Sequence, residues 1–199
     1  MSPAAFPRLR WAAAAFLAVY VPGYALAYGL ANFVFLCNLS VILAGVGIWT
    51  RSRLLLSSQA LASLLVGLAW TADAAFRLLS GRDLIGATAY MWDDQWPLFT
   101  RLLSLYHVAL PVVLVLALRR VGYDARGYWL QSAIAIVAVA AGRLFGPAVN
   151  INYAYVDPLL QRTWGGPITH VAVVAGFLVL LVYPLTHVLL VRLCRGPRA

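Results

Sequence analysis

The chain contains no lysine and no glutamate, so its cations are fifteen arginines and its acids six aspartates. Lacking lysine, it has no side-chain amine to form an imine with retinal or pyridoxal phosphate, which excludes those two chemistries. Two cysteines, Cys37 and Cys194, are too few for a disulfide framework. The three histidines lie on separated segments, and HExxH, GxSxG and Walker patterns are missing. No metal site and no cofactor are therefore expected. Charged residues make up only 11% of the chain, against 63% hydrophobic ones, which no ordinary soluble domain tolerates.

What the chain does have is a series of apolar stretches long enough to cross a hydrocarbon core ~30 Å thick. They predict an all-α polytopic membrane protein, a single transmembrane domain over 1–199. Its helices are expected at about 11–28, 33–49, 54–76, 98–118, 128–145 and 168–191. Pro22-Gly23 should kink the first helix, and a tight turn should follow near Gly29 to Asn32. The connection 77–97 carries Tyr90, Trp92 and Trp96 around Asp93-Asp94, a mixture suited to a short helix at the headgroup boundary. Gly142 and Gly146 have the spacing of close helix packing. Arg8, Arg10, the apolar run from Trp11 and Ala25-Leu26-Ala27 imitate a signal peptide. The apolar character continues past them, which favours a retained first helix.

The arginines alternate. Arg8, Arg10, Arg51, Arg53, Arg119, Arg120, Arg126, Arg192, Arg195 and Arg198 occupy every second gap. Arg77, Arg82, Arg101, Arg143 and Arg162 share the other gaps and their flanks with five of the aspartates. Such asymmetry leaves the arginine-rich loops, and with six helices both termini, in the cytoplasm. Topology and anionic headgroups account for the net charge of +9, and no nucleic-acid partner is expected.

Given that orientation, the polar residues have depths. Asn32, Cys37 and Asn38 fall near the outer end of helix two, and Asp73 and Arg77 near that of helix three. Arg101, Ser104 and His107 descend into helix four, Arg143 closes helix five, and His170 opens helix six. Asn150, Asn152, Tyr153, Tyr155 and Asp157 form the loop above. An ionisable group at membrane depth costs at least ~2.5 kcal/mol unless it is paired or wetted. Convergence on one half of the bilayer therefore implies an outward-facing pocket, with Asn38, Asp73, Arg143, Asn150, Asn152 and Tyr153 as candidate substrate contacts and a membrane lipid as the partner. The i,i+4 spacing of Asp73 and Arg77 also allows a structural ion pair. Arg143 suits a lipid phosphate, or simple pairing with Asp157.

Cys37 and His107 are the candidate reactive residues, roughly 7 Å and 13 Å from the outer helix ends at 1.5 Å per residue. A thiol beside an imidazole is the minimal nucleophile–base pair for acyl transfer. The alternative is a small buried cysteine and a histidine that merely bridges two helices. Cys37 and Cys194 should lie toward opposite faces, too far apart for the ~6 Å Cα spacing of a disulfide. His187 and Cys194, toward the cytoplasm, read as structural. The sequon at Asn38-Leu39-Ser40 should be buried in a helix.

Leu36-Cys37-Asn38-Leu39, Tyr106-His107 with Leu110-Pro111, and Asn150-Ile151-Asn152-Tyr153-Ala154-Tyr155 occur in an order that resembles the YwaF-type bacterial integral membrane proteins. The likeness runs from about residue 30 to 190. That group looks distantly related to the androgen-induced-gene lipid hydrolases and to a eukaryotic phospholipid acyltransferase. The resemblance implies a bacterial inner-membrane protein that cleaves or transfers fatty acyl groups, with Cys37 as nucleophile and His107 as base. It also implies that the segment Asn150 to Tyr155 lines the pocket. Where YwaF-type proteins usually carry cysteine-aspartate, this chain has Cys37-Asn38. Leu84 to Asp93 and Arg120 to Gly127 look like a bacterial subgroup of membrane-associated proteins. Asn38 or Asn152 is the expected oxyanion donor. The competing expectation is a non-catalytic binder of a headgroup or small solute, or a transporter subunit built around the same pocket.

Overall fold

A computed structural model describes residues 7–194, so Arg195 and Arg198 lie outside the described residues. Among those residues there is no strand. Five helices are long and apolar enough to cross a membrane: α1 (Pro7–Tyr28), α3 (Arg53–Ser80), α4 (Leu98–Val121), α5 (Gly127–Phe145) and α6 (Pro167–Leu193). The apolar α2 (Leu36–Thr50) has 15 residues, a rise of about 22 Å. It starts later than its apolar run because Leu30–Val34 forms a 3-10 turn. Two side-chain amides hold that turn: Asn38 Nδ2 donates to Asn32 O at 2.8 Å and Asn152 Nδ2 to Val34 O at 2.9 Å.

α3 is the hub. Its Leu56, Ala60, Leu61 and Leu64 pack with Ala44 and Ile48 of α2, Leu114 and Leu118 of α4, and Leu190 of α6. α1 stays at the periphery and contributes Tyr20 and Tyr24 to a second cluster with Val41 and Tyr106. Leu26, Leu79, Trp129, Leu144 and Leu180 stand exposed around the bundle, as a hydrocarbon surround permits.

The outer connection departs from expectation. In place of a surface helix it holds one short 3-10 turn, Ala89–Trp92. Asp73 accounts for this. Its Oδ1 accepts the N–H groups of Leu84 (3.0 Å), Ile85 (2.7 Å) and Gly86 (3.3 Å), and its Oδ2 accepts both the N–H (2.8 Å) and the hydroxyl (2.7 Å) of Thr88. A carboxylate that gathers four backbone donors forces the segment to curl over it rather than run as a helix. Arg77 consequently pairs with Asp83 and lies over Trp92, not with Asp73.

Gly142 departs as well. A Cβ there would run into the carbonyl of Ile151 and sit 3.1 Å from Ala154, so it receives the loop after α5 rather than another helix, and Gly146 has no such neighbour. The expected one-sided placement of buried polar groups is also incomplete. Gln59 Nε2 donates to Ser58 Oγ (2.8 Å) and Gln131 Oε1 (3.4 Å), and Gln131 Nε2 reaches the Tyr183 hydroxyl (3.3 Å). This second set lies toward the arginine-rich end. Nearby, Tyr128 donates to Val179 O at 2.9 Å inside the π turn Leu178–Val182 of α6. Pro184, five residues on, has no N–H to offer that carbonyl.

Candidate functional site

Pro111 is the local cause of the geometry around His107. Having no N–H, it frees the carbonyl of His107 four residues back. That carbonyl points at Gly67 of α3, where a Cβ would sit 2.6 Å from it and 2.7 Å from Pro111 Cγ. Only glycine lets α3 and α4 meet this closely. Above, α4 tightens into i→i+3 bonds from Ser104 N–H to Arg101 O and from His107 N–H to Ser104 O. The same Ser104 carbonyl receives His107 Nδ1 at 2.8 Å. A carbonyl only accepts, so Nδ1 carries the proton and Nε2 keeps its lone pair. Nε2 makes no hydrogen bond among the described residues. Trp70 stacks on the ring at 4.6 Å between centroids and Tyr106 at 4.1 Å, which fixes its plane.

Cys37 and His107 line one cleft with Ser63, Gly67, Tyr106 and Pro111, with room for the centre of about one water, near 10 Å³. No hydrogen bond joins thiol and imidazole directly; the thiol's partner is Asn38 Oδ1 at 3.8 Å. The pair thus shares a space of water size rather than a contact. Ser63 Oγ, on the same wall, is buried without a partner. Cys37 sits in the first turn of α2, where the N–H groups of Cys37 and Asn38 lack intrahelical acceptors and can receive an oxyanion.

The two asparagines differ in what they leave free. Asn38 Oδ1 accepts the hydroxyls of Tyr20 (2.8 Å) and Tyr106 (2.7 Å), and Nδ2 spends one hydrogen on Asn32 O. One amide hydrogen is left without a partner among the described residues, while Oδ1 is the amide atom that meets the Cys37 thiol. Asn152 has none to spare: Nδ2 donates to Val34 O and Ala138 O, and Oδ1 accepts Leu36 N–H at 2.8 Å. It ties the outer loop and α5 to the start of α2, one residue before Cys37.

The other expected contacts scatter. Asp73 is fully buried and turned to its own loop. Arg143 donates to Ala154 O at 3.0 Å and lies 3.8 Å over the Tyr155 ring, whose hydroxyl donates to Arg143 O at 2.6 Å. Asn150 Oδ1 accepts Tyr155 and Val156 N–H groups and so shapes the loop. His170 is saturated, accepting Trp164 N–H at Nδ1 and donating from Nε2 to Tyr153 O. Asp157 meets the Trp164 indole at 2.9 Å rather than Arg143. Tyr153 holds φ at +57° beside Asn152 at +52°. Burial pushes its hydroxyl up, and the Cys37 thiol and the Asp73 carboxylate push the same way electrostatically.

Asn150, Tyr153, Asp157 and Gln161 line a second, outer cavity of about 180 Å³ with Ile85 and Gly86. No motif announces it, because two loops far apart in sequence form its walls. No family model, curated protein or solved structure matches the chain.

Proposed function

We propose that this chain is a six-span protein of the bacterial inner membrane, kin to the YwaF-type proteins, with both termini in the cytoplasm. Its outward cleft cleaves or transfers the acyl group of a membrane lipid. One observation carries the reading: the Cys37 thiol and the unpaired Nε2 of His107 share a cleft at the first turn of α2. His107 Nε2 takes the thiol proton, through one water, as the thiolate adds to the acyl carbonyl. Negative charge then passes to the carbonyl oxygen, which the main-chain N–H groups of Cys37 and Asn38 in the first turn of α2 would receive. Collapse expels the lipid alkoxide, which recovers the proton from the imidazolium. Water or an acceptor hydroxyl then attacks the thioester with His107 again as base, freeing the thiol.

The test is turnover of acyl lipids by the purified protein in nanodiscs. Cys37→Ala and His107→Gln should each lower it by at least about 100-fold, with folding intact. Full activity in Cys37→Ala would end the acyl reading. The outer cavity favours a second reading, a non-catalytic binder of headgroups or small solutes. An acyl-bearing thiol probe would then leave Cys37 unlabelled, with Cys194 as the internal comparison.

A further inference from the structure

The outer cavity and the Cys37 cleft share no lining residue, but the segment around Tyr153 reaches from the first toward the second. Tyr153 lines the cavity together with Ile85 and Gly86 from one loop and Asn150, Asp157 and Gln161 from the other. Its neighbour Asn152 is bonded to Val34 O and Leu36 N–H, so Tyr153 is held directly beside the residues that lead into Cys37. Its backbone is strained and pinned from behind: φ is +57°, and His170 Nε2–H grips its carbonyl at 3.0 Å. Strain of this kind persists only where the surroundings enforce it, commonly at ligand clamps and switches. Asn150 at φ +47° and Gln161 at φ +50°, both on the cavity wall, carry the same strain.

The wall has a charge preference. Asp157 is its one ionic side chain. The Asp73 carboxylate lies directly behind Ile85 and Gly86, bonded to their N–H groups. No arginine lines the cavity. Arg143 is bonded to Ala154 O, and Arg162 lies over the Trp164 ring at 3.9 Å. A phosphate would meet a carboxylate and no lining guanidinium, whereas an ammonium group would meet the carboxylate with the neutral side-chain oxygens of Tyr153 and Gln161 beside it.

We propose that the outer cavity is the vestibule of the Cys37 cleft, that the Tyr153 side chain closes the passage between them, and that the vestibule receives an ammonium-bearing headgroup in preference to a phosphate. The inference deepens the acyl reading by naming the polar end of its lipid, and it rests on that reading only for what happens to the lipid next.

The test uses the detergent-solubilised Cys194→Ser protein, in which Cys37 is the sole thiol. Two methanethiosulfonate reagents of similar size are compared, one carrying trimethylammonium and one sulfonate. Each labelling rate is read by mass spectrometry and divided by that reagent's rate with 2-mercaptoethanol. The normalised cationic rate should exceed the anionic one about tenfold, and Asp157→Asn should remove most of the difference. Tyr153→Ala should speed both reagents about tenfold, and Tyr153→Phe should change them little, because ring bulk makes the closure. Ethanolamine should slow labelling of the otherwise unchanged protein at concentrations where inorganic phosphate of equal ionic strength does not. That competition decides the matter if Asp157→Asn fails to fold. Equal normalised rates, an unchanged preference in Asp157→Asn, no acceleration in Tyr153→Ala, or equal protection by both competitors would each overturn the proposal. No lipid is turned over in these measurements. Their failure removes the vestibule and leaves the acyl reading standing, while loss of acyl chemistry with the charge preference intact does the reverse.

Discussion

Asn152 spends one short side chain on three main-chain partners in three segments, Leu36, Val34 and Ala138. Asn152→Ala would strand a buried helix-start N–H and two carbonyls. The expected loss is about 3 kcal/mol, at the upper end for unsatisfied buried groups, and is read as a lower unfolding midpoint in detergent. Unchanged stability would mean that the outer loop does not clamp α2. Asp157 makes a pH prediction. Burial raises its carboxyl, but the N–H groups of Leu159 and Leu160 and the Trp164 indole outweigh burial and hold it below the usual carboxylate range. A depressed folded value means that the stabilisation is complete above the unfolded value, about pH 4, and is lost as pH falls through the folded one. Tryptophan emission should therefore shift as the 157–164 loop loosens below about pH 4, and the shift should vanish in Asp157→Asn. A shift that survives the substitution would assign the transition to another group.

At the scale of elements, the close approach of α3 and α4 and the glutamine pair are the features most open to test. Gly67→Ala puts a methyl against the His107 carbonyl and Pro111. α4 must move outward, at a cost of about 1–3 kcal/mol, and the change should also alter the rate at which Cys37 reacts with a small thiol reagent. Gln59→Leu or Gln131→Leu alone should each cost about 1–3 kcal/mol by stranding the other amide, while the double substitution should return near the parent. Strictly additive losses in that cycle would show that the two amides are not coupled. The helix spans were legible because long apolar runs separated by arginine clusters leave few ways to place backbone hydrogen bonds in a bilayer. The Gln59–Gln131 pair has no signature in the sequence, because a single polar residue in an apolar run does not say which neighbour it will face. The Asp73–Arg77 spacing permitted an ion pair, but the path of residues 84–88, which captures that carboxylate, is set by tertiary contact rather than by period. Cys37 and His107 stood out as a thiol and an imidazole that both lie within the outer half of the bilayer. Their shared cleft depended on Gly67 and Pro111, whose joint effect is invisible in either residue alone.

Over the whole molecule, contacts between segments sort the arginines by end. Arg10 lies 4.7 Å over Trp49, Arg53 reaches Asp124 at 4.0 Å, and Arg119 Nε donates to Leu193 O at 3.0 Å. These contacts draw the ends of α2, α4 and α6 and the starts of α1, α3 and α5 to one pole. Arg77, Arg101 and Arg143 stand at the other, two of them paired with aspartates. A polytopic chain with this imbalance should insert with the first pole inside, since translocating clustered arginines is what topology selection disfavours. Exposed Ala125 and Ser80 mark the two poles. In a background carrying Cys37→Ser and Cys194→Ser, Ser80→Cys should react with a membrane-impermeant maleimide on intact bacterial cells. Ala125→Cys should react only after permeabilisation. Reversed labelling would turn the Cys37 cleft and the cavity above it toward the cytosol, where the ligand would have to arrive from the inner leaflet. Equal labelling at both sites would imply mixed insertion, which the contrast between arginine-rich and aspartate-rich poles argues against.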